Sequence, residues 1–355
     1  MTSASDDADF AAAVLAWFDR CGRKDLPWKN PVDPYRIWVS EIMLQQTRVQ
    51  TVAAYFQRFI ARFPDVNALA DAPEDEVLGL WSGLGYYARC RNLHAAARVL
   101  RDDHRGRIPE TMEALQALPG IGRSTAAAIL AQAFGQRQAI LDGNVKRVLA
   151  RYALVEGWPG AAGPQNELWT VAERLTPTER VAEYTQAMMD LGAMVCVRSR
   201  PRCAACPVRA ACCALAKGRI RDLPAPKPKK ALPERRKTWL VIRDGRGRVL
   251  LERRPPYGIW GGLWTFPELD ADDDGRDWCD RYLGRPPTFL HSLDTVIHTF
   301  SHFRLHAEPR MLTLDRSRDV VRDGDRMCWN EPDMPPPGGV PAPVARLLER
   351  LSDIP

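Results

Sequence analysis

Apolar residues recur at every third or fourth position through most of the first 216 residues. DFAAAVLAWF, RIWVSEIMLQQTRVQTVAAYFQRFI, PEDEVLGLWSGL, RNLHAAARVLRD and TMEALQAL place them at i, i+3, i+4 and i+7. So do RSTAAAILAQAF, NVKRVLARYAL, QNELWTVAERL and EYTQAMMDLGAMV. This is the period of an amphipathic helix with one buried face. It predicts helix after helix from residue 8 to about residue 216, with Pro73-Glu74 opening one and Asp142 capping another. No fixed-period repeat runs through them.

The pattern then breaks. Residues 217–237, KGRIRDLPAPKPKKALPERRK, have no apolar period and are rich in proline, lysine and arginine. That is the composition of a semi-extended linker. Beyond it come short runs of β-forming residues: TWLVIRD, RVLLERR, LWTFPEL, TVIHTFSHFRLHAE and RMLTL, the first two separated by the turn residues DGRG. The predicted architecture is multidomain: an all-α domain over 1–216, a basic proline-rich linker over 217–237, and an α/β domain over 238–355.

A length of 355 residues agrees with two or three domains, and 45% hydrophobic with 26% charged residues is ordinary globular composition. The net charge of +6 and isoelectric point near 8.9 permit an acidic partner without requiring one. MTSASDDADF is acidic where a secretory signal is basic, and no apolar run approaches the ~18 residues that span a bilayer. With no export signal, nine cysteines favour free thiols or a metal site over a disulfide framework.

Four of those cysteines fall close together, as Cys196, Cys203, Cys206 and Cys212 in a C-x6-C-x2-C-x5-C run. The stretch CVRSRPRCAACPVRAAC carries four arginines and almost no bulky core residues, so apolar burial alone does not fold it. Short loops between thiolates can wrap a metal centre. One CxxC pair, where a zinc site usually shows two, leans towards a four-cysteine iron–sulfur cluster. Cys213 beside Cys212 leaves the fourth ligand ambiguous by one residue, and Cys21, Cys90, Cys279 and Cys328 are scattered and read as structural.

LPGIGRSTA joins two predicted helices. A dinucleotide loop needs a third glycine after a strand, and here Thr125 holds that place after a helix. A helix–hairpin–helix over 111–134 fits better. Gly120 and Gly122 let the chain reverse, the next helix adds its positive end, and Arg123 adds charge, together able to grip a phosphate oxygen. By itself the string fits a plain helix corner equally well.

Two carboxylates stand out. Asp142 in LDGNVKRVL sits at the mouth of a helix, where an N-cap aspartate is expected; capping and chemistry are compatible. Glu41 shares an i, i+4, i+7 face with Ile37 and Leu44, which predicts partial desolvation and a raised carboxyl pKa. A protonated acid beside an ionised partner suits purine N-glycosidic cleavage: the acid protonates the base and the anion supports an oxocarbenium-like sugar.

A cysteine run of this spacing after a helical domain containing LPGIG resembles the endonuclease III superfamily, in which it holds a [4Fe–4S] cluster. LPWKNPVDPYRIWVSEIMLQQTRV, GLGYYARCRNLHAAA, LPGIGRSTAAAI and LDGNVKRVLAR narrow the resemblance to the MutY-type adenine DNA glycosylases, over about residues 10–350. The resemblance implies that Glu41 protonates adenine N7 and then activates water. Asp142 stabilises the cation and Asn144 orients the pair. Gln186 contacts the flipped adenine in a pocket lined by Leu26, Trp28 and Ser124, and Gln46 and Tyr86 insert beside the mismatch. Bifunctional relatives carry lysine where Ser124 stands, and that amine forms a Schiff base. The nearest lysine along the chain, Lys146, lies on another helix. The expectation is a monofunctional hydrolase.

GIWGGLWTFPE and the β pattern resemble a Nudix-like fold. LDADDDGRDWCDRYLG lacks the glutamate-dense helix that holds Mg²⁺, so its aspartates read as a solvated loop and no pyrophosphohydrolase is expected. In the family this domain reads 8-oxoguanine, which assigns Ser301 as the contact with Phe300 and His302 beside it. Taken alone, Phe300 and His302 read as alternating strand residues. The basic linker either adds salt-dependent DNA affinity or is a solvated connector. The resulting expectation is a monomer in the bacterial cytoplasm, associated with the nucleoid, acting on double-stranded DNA with A:8-oxoG or A:G pairs and on no membrane. A pyrimidine-lesion glycosylase/lyase is disfavoured by Ser124 and by the added C-terminal domain, and a non-enzymatic DNA-binding or redox-sensing protein by Glu41 with Asp142.

Overall fold

The computed structural model describes residues 4–228, 231–271, 273, 275–284, 288–314, 326–331 and 334–352. Its contacts divide the chain into two units, Met1–Asp71 with Asn92–Lys229, and Ala72–Arg91 with Lys230–Pro355. The helices of the first 216 residues are α1 (Ala4–Cys21), α2 (Pro34–Leu44), α3 (Val49–Arg62), α4 (Val66–Asp71), α5 (Glu74–Trp81), α6 (Tyr87–His104), α7 (Met112–Ala117), α8 (Arg123–Phe134), α9 (Gly143–Tyr152), α10 (Ala162–Leu175), α11 (Val181–Asp190) and α12 (Cys213–Ala216).

Capping explains where several of them begin. Asp33 accepts from Arg36 N at 2.9 Å and Pro34 takes the first helical position of α2, where its missing N–H costs nothing. Thr111 caps α7, and Gly135 ends α8 in the left-handed region. Phe10, Val14, Leu130, Leu149, Leu168 and Leu191 lie in the core of the first unit, and Trp28, Trp38, Phe56 and Phe59 are fully buried beside α2 and α3.

Two helical readings change. RIWVSEIMLQQTRVQTVAAYFQRFI, continuous in its apolar period, is broken between α2 and α3, where Gln46 turns the chain at φ +60°. EYTQAMMDLGAMV runs on past α11 but widens into a π-helical turn at Leu191–Val195. The short helix α4 has no counterpart in the predicted set.

The second unit carries a mixed sheet of β1 (Glu234–Asp244), β2 (Val249–Arg253), β3 (Trp264–Thr265), β4 (Glu268–Asp270), β5 (Thr288–Ser292), β6 (Val296–Thr299), β7 (Arg304–Leu314) and β8 (Met327–Asn330), with α13 (Arg276–Leu283) and α14 (Ala342–Ser352). The order is β3-β2-β1-β7-β5, with β4 on β1, β6 on β7 and β8 on β2. β1 and β7 run parallel, with Trp239 opposite Pro309, and the other pairings are antiparallel. Trp239 and Val241 face a cluster closed by Val344, Leu347 and Leu351 of α14. Leu240 and Ile242 face another cluster that includes Cys279, Trp278 and Tyr282 of α13. Covering on both faces makes LVI continuous rather than alternating.

The linker is shorter than its composition implies. Leu223 is buried and its carbonyl accepts from Arg151 Nε at 2.8 Å. β1 begins at Glu234 because Glu234–Lys237 pair with β7; their side chains are exposed, so hydrophobicity does not mark them. The acidic stretch is part helix, not only a loop: α13 buries Cys279 while Asp273 caps the turn before it, and Asp272 and Asp274 lie outside the described residues. Ala72–Arg91, helical in pattern, joins the second unit through polar bonds: Tyr87 OH to Val340 O at 2.7 Å, Arg91 Nη1 to Gly261 O at 2.7 Å, and Arg253 to Asp75 at 3.0 Å.

Candidate active site and cysteine loop

Glu41 rises from the middle of α2 among the buried Ile37, Trp38, Ile42 and Met43, yet stays partly accessible itself. Gln132 Nε2 of α8 donates to Glu41 Oε1 at 2.7 Å, and Lys29 Nζ donates to Gln132 Oε1. Burial pushes the Glu41 carboxyl up to about 7. The Gln132 hydrogen bond and the Lys29 charge oppose that rise and the Asp142 charge adds to it. Lys29 is itself lowered to about 8 by burial.

Asp142 caps α9, accepting from Val145 N at 2.8 Å, so the expected N-cap geometry is present. Asn144 Nδ2 approaches its other oxygen at 3.4 Å, and Arg147 Nη2 holds Asn144 Oδ1 at 2.9 Å. Burial raises the Asp142 carboxyl above its ordinary range as well; backbone N–H groups of Val145 and Asn144 and the Arg147 charge offset part of that rise. The two carboxylates thus sit in unlike surroundings: one side-chain amide on Glu41, several N–H dipoles on Asp142.

Ser124, in the first turn of α8, accepts from Leu141 N at 3.0 Å and so ties that helix to the residue before Asp142. Gln186 is 5% exposed and donates to Asp190 Oδ1 at 2.8 Å. Asp190 is fully buried and gripped by Arg23 through its backbone N at 2.7 Å and its guanidinium at 2.6 Å. Leu26 and Trp28 are buried, with Trp28 edge-on to Phe56. Among the described residues the Lys146 side chain bonds neither carboxylate; its backbone N–H donates to the Asp142 carbonyl at 2.9 Å, whereas the Lys29 charge acts on Glu41. Lys29 is remote from Gln132 along the chain, and the turn before α2 brings the two together.

Gly120 takes φ +80°, and a Cβ there would stand 2.8 Å from Asn92 Cβ, so this corner of the hairpin requires glycine. Gly122, the N-cap of α8, offers no side chain to the helix N-terminus. Arg123 lies 3.8 Å over the Trp169 ring and pairs with Glu173, so its charge is already engaged here. Gln46 and Tyr86 share two properties: both are exposed, and both hold positive φ, +60° and +52°, at helix boundaries. Strain of this kind concentrates at working sites. They belong to different units, Gln46 to the first and Tyr86 to the second.

Cys196, Cys203, Cys206 and Cys212 line one open hollow with Val195, Pro201, Arg209, Leu215 and Ile220, while Cys213 is exposed and does not line it. Among the described residues no three His, Cys, Asp or Glu side chains converge closely enough to hold a single ion. Four thiols on the wall of one hollow fit a four-thiolate metal group. Arg151, 2% exposed, donates to Leu223 O, Val197 O and Arg198 O and approaches Cys196 Sγ at 3.3 Å. Arg147 Nε donates to Cys196 O at 2.7 Å. Sequence reasoning missed both arginines, although their i, i+4 spacing on α9 marks a common face.

In the second unit, TVIHTFSHFRLHAE is not one strand. Phe300 N bonds Phe303 O at 2.9 Å, making a tight turn between β6 and β7. Phe300 stacks on Phe303 at 4.5 Å and 17° and meets Trp260 at 5.2 Å. Ser301 and His302 are exposed at the tip, Ser301 Oγ 3.3 Å from His302 Nδ1.

A family model described as HhH-GPD superfamily base excision DNA repair protein matches residues 39–174, and a NUDIX domain model matches 238–350. The chain is 34% identical to the adenine DNA glycosylase of Buchnera aphidicola (subsp. Baizongia pistaciae), over 96% of each chain. It is also 34% identical to that of Homo sapiens, over 88% of this chain and 68% of the human one. Among solved structures, a thermostable thymine-DNA glycosylase aligns with TM-score 0.53 and 28% identity, over 60% of this chain and 98% of that one. An endonuclease III–DNA complex shares the fold at TM-score 0.52 and 21% identity, over 62% of this chain and 100% of that one.

Proposed function

This chain belongs to the adenine DNA glycosylases, the DNA N-glycosylases that excise adenine in base excision repair, and on that premise we propose that it acts on adenine opposite 8-oxoguanine or guanine by simple hydrolysis. The observation that carries the chemistry is the unlike pair of carboxylates. Glu41, near 7, is available as an acid at neutral pH, while Asp142, though also raised by burial, has backbone and Asn144 N–H donors and the Arg147 charge set to receive its ionised form. Protonation of adenine N7 by Glu41 turns the base into a leaving group. Asp142 supports the positive charge that develops on the sugar, and Asn144 holds it in place. Water attacks C1′ and returns a proton to Glu41.

Leu26 and Trp28 supply apolar walls for the flipped base. Gln186 gives one N–H to Asp190, which orients its amide and leaves a carbonyl and a second N–H for the adenine edge, the pairing an amide makes best. Gly120, Gly122 and the start of α8 fit a phosphate grip made by backbone N–H groups, with Arg123 available to it on leaving Glu173. Gln46 and Tyr86 fill the space beside the mismatch. The turn at Phe300, Ser301 and His302 reads the opposite base, with the Ser301 hydroxyl as the polar contact. Cys196, Cys203, Cys206 and Cys212 would hold a [4Fe–4S] cluster. When bound, it supplies a rigid cross-link that orders an arginine-rich loop for DNA. No helix among the described residues is long and apolar enough to cross a membrane, and we read the enzyme as a monomer.

Ser124 cannot form a Schiff base, and Lys29 Nζ is occupied by Gln132. The test is single-turnover cleavage of A:8-oxoG, A:G, C:8-oxoG and thymine glycol duplexes by the native protein and Glu41→Gln, with borohydride trapping. Excision on both adenine duplexes, no trapping and loss in Glu41→Gln are expected. Activity on thymine glycol alone, or a trapped adduct that disappears in Lys29→Met, overturns the reading.

A further inference from the structure

The reaction above gives no part to Lys29 and Gln132. Gln132 is 4% exposed on α8, and Lys29 stands on the turn just before α2. Lys29 Nζ donates to Gln132 Oε1, and Gln132 Nε2 donates to Glu41 Oε1 at 2.7 Å. An ammonium only donates, so the Gln132 oxygen must face Lys29 and its NH2 must face Glu41. A proton on Glu41 Oε1 would then confront that N–H. Oε1 is held as an acceptor.

We propose that Lys29 and Gln132 are positioning residues that keep the acidic proton of Glu41 on Oε2 and provide a fixed donor and a cation for the carboxylate left behind. The inference rests on the reading of Glu41 as the acid. Oε2–H passes its proton to adenine N7 as the C1′–N9 bond breaks, and that bond's electron pair leaves with the base. Water then forms the C1′–O bond and its proton returns to Glu41. No oxidant or further reactant is needed. Glu41 faces the charges of Lys29 and Asp142, and Lys29 faces those of Glu41 and Asp190. Lys29 is lowered only to about 8, so it remains an ammonium at the pH where Glu41 still carries its proton.

The test is single-turnover excision at saturating enzyme, from acid to alkaline pH, with Gln132→Leu, Lys29→Met, their double variant and Lys29→Arg. Without the amide donor, Gln132→Leu moves the basic limb up by about one pH unit. Lys29→Met frees the amide to turn and accept a proton from Oε1, so the low-pH plateau drops by about tenfold, the worth of one misdirected hydrogen bond. Adding Gln132→Leu to Lys29→Met recovers part of that plateau, because nothing remains to misdirect the proton although the donor and the cation for the carboxylate are gone, and Lys29→Arg recovers most of it by restoring a donor. A basic limb unmoved in Gln132→Leu, or a double variant as slow as the product of the singles, overturns the proposal; both are what mere packing roles would give. Glu41→Gln separates the two levels. If it keeps native activity, the acid assignment fails; if it is inactive while the other variants match the native enzyme, only the proposal about Lys29 and Gln132 fails.

Discussion

Glu41 and Asp142 are surrounded by fixed dipoles, whereas the turn at Phe300–Phe303 is surrounded by rings. In the helical unit Gln132 and Lys29 stand behind one carboxylate, and Asn144, Arg147 and the N-terminus of α9 behind the other. In the second unit Phe300 lies against Phe303, Trp260 and His298, and the hydrogen bond at the tip joins neighbours, Ser301 and His302. The difference matches the tasks proposed for them. Moving a proton and holding a cation require dipoles that do not reorganise during the reaction. Discriminating one planar base from another requires a shaped apolar platform and a few polar groups.

The sharpest break in that comparison is removal of charge from the first region. Glu41→Gln is expected to slow excision by about 10³-fold or more on A:8-oxoG and A:G alike, measured in single turnover. Equal losses on the two substrates separate chemistry from recognition. In the native enzyme the rate should fall as pH rises through 7, where Glu41 loses its proton. Stability follows the same sign. An acid whose pKa is raised on folding stabilises the fold below its unfolded value and loses that contribution as pH rises through the folded one. Glu41→Gln should therefore melt above the native protein at pH 8 and show no such advantage at pH 4. A variant that melts lower at pH 8 contradicts the buried-acid picture.

Next in size is the cysteine loop. Arg151→Met leaves the Val197, Arg198 and Leu223 carbonyls without their donor and is expected to cost about 2–4 kcal/mol in chemical unfolding. Iron loss should follow, seen as bleaching of a yellow-brown absorbance. Stoichiometric zinc in a colourless native protein would reject the cluster.

A smaller and more selective effect is expected in the second region. Ser301→Ala removes a hydroxyl at an exposed tip and leaves the stacked rings in place. Preference for A:8-oxoG over A:G should fall by about tenfold, with A:G nearly unchanged. Equal loss on both would make Ser301 part of the platform and not the reader.

How much of this was legible depended on whether a feature was local. Glu41 on an apolar face, Asp142 at a helix mouth and the start of α8 at Arg123 all lie in spacings of a few residues. The Lys29–Gln132 contact spans 103 positions and the Arg23–Asp190 contact 167, so only the folded chain shows them. The break at Gln46 was hidden because the apolar period runs unbroken through it and glutamine is no turn former. The outset of β1 was hidden because its first residues are exposed. Arg123 was legible as charge but not as a partner of Glu173 and Trp169, which come from α10.

The smallest effect tests how far the first region depends on fixed geometry alone. Ser124 contributes one neutral hydrogen bond, from Leu141 N to its hydroxyl, and no charge. If its role is to hold the residue before Asp142, Ser124→Ala should lower excision by about threefold to tenfold, the range of a single hydrogen bond. The loss should appear equally on A:8-oxoG and A:G, and the basic limb should stay near 7, because Glu41 is untouched. Ser124→Thr, which keeps a hydroxyl, should recover most of the rate. A shift in the basic limb would place Ser124 in the acid's own surroundings. A change in the ratio between the two substrates would erase the division between a region that reacts and a region that reads.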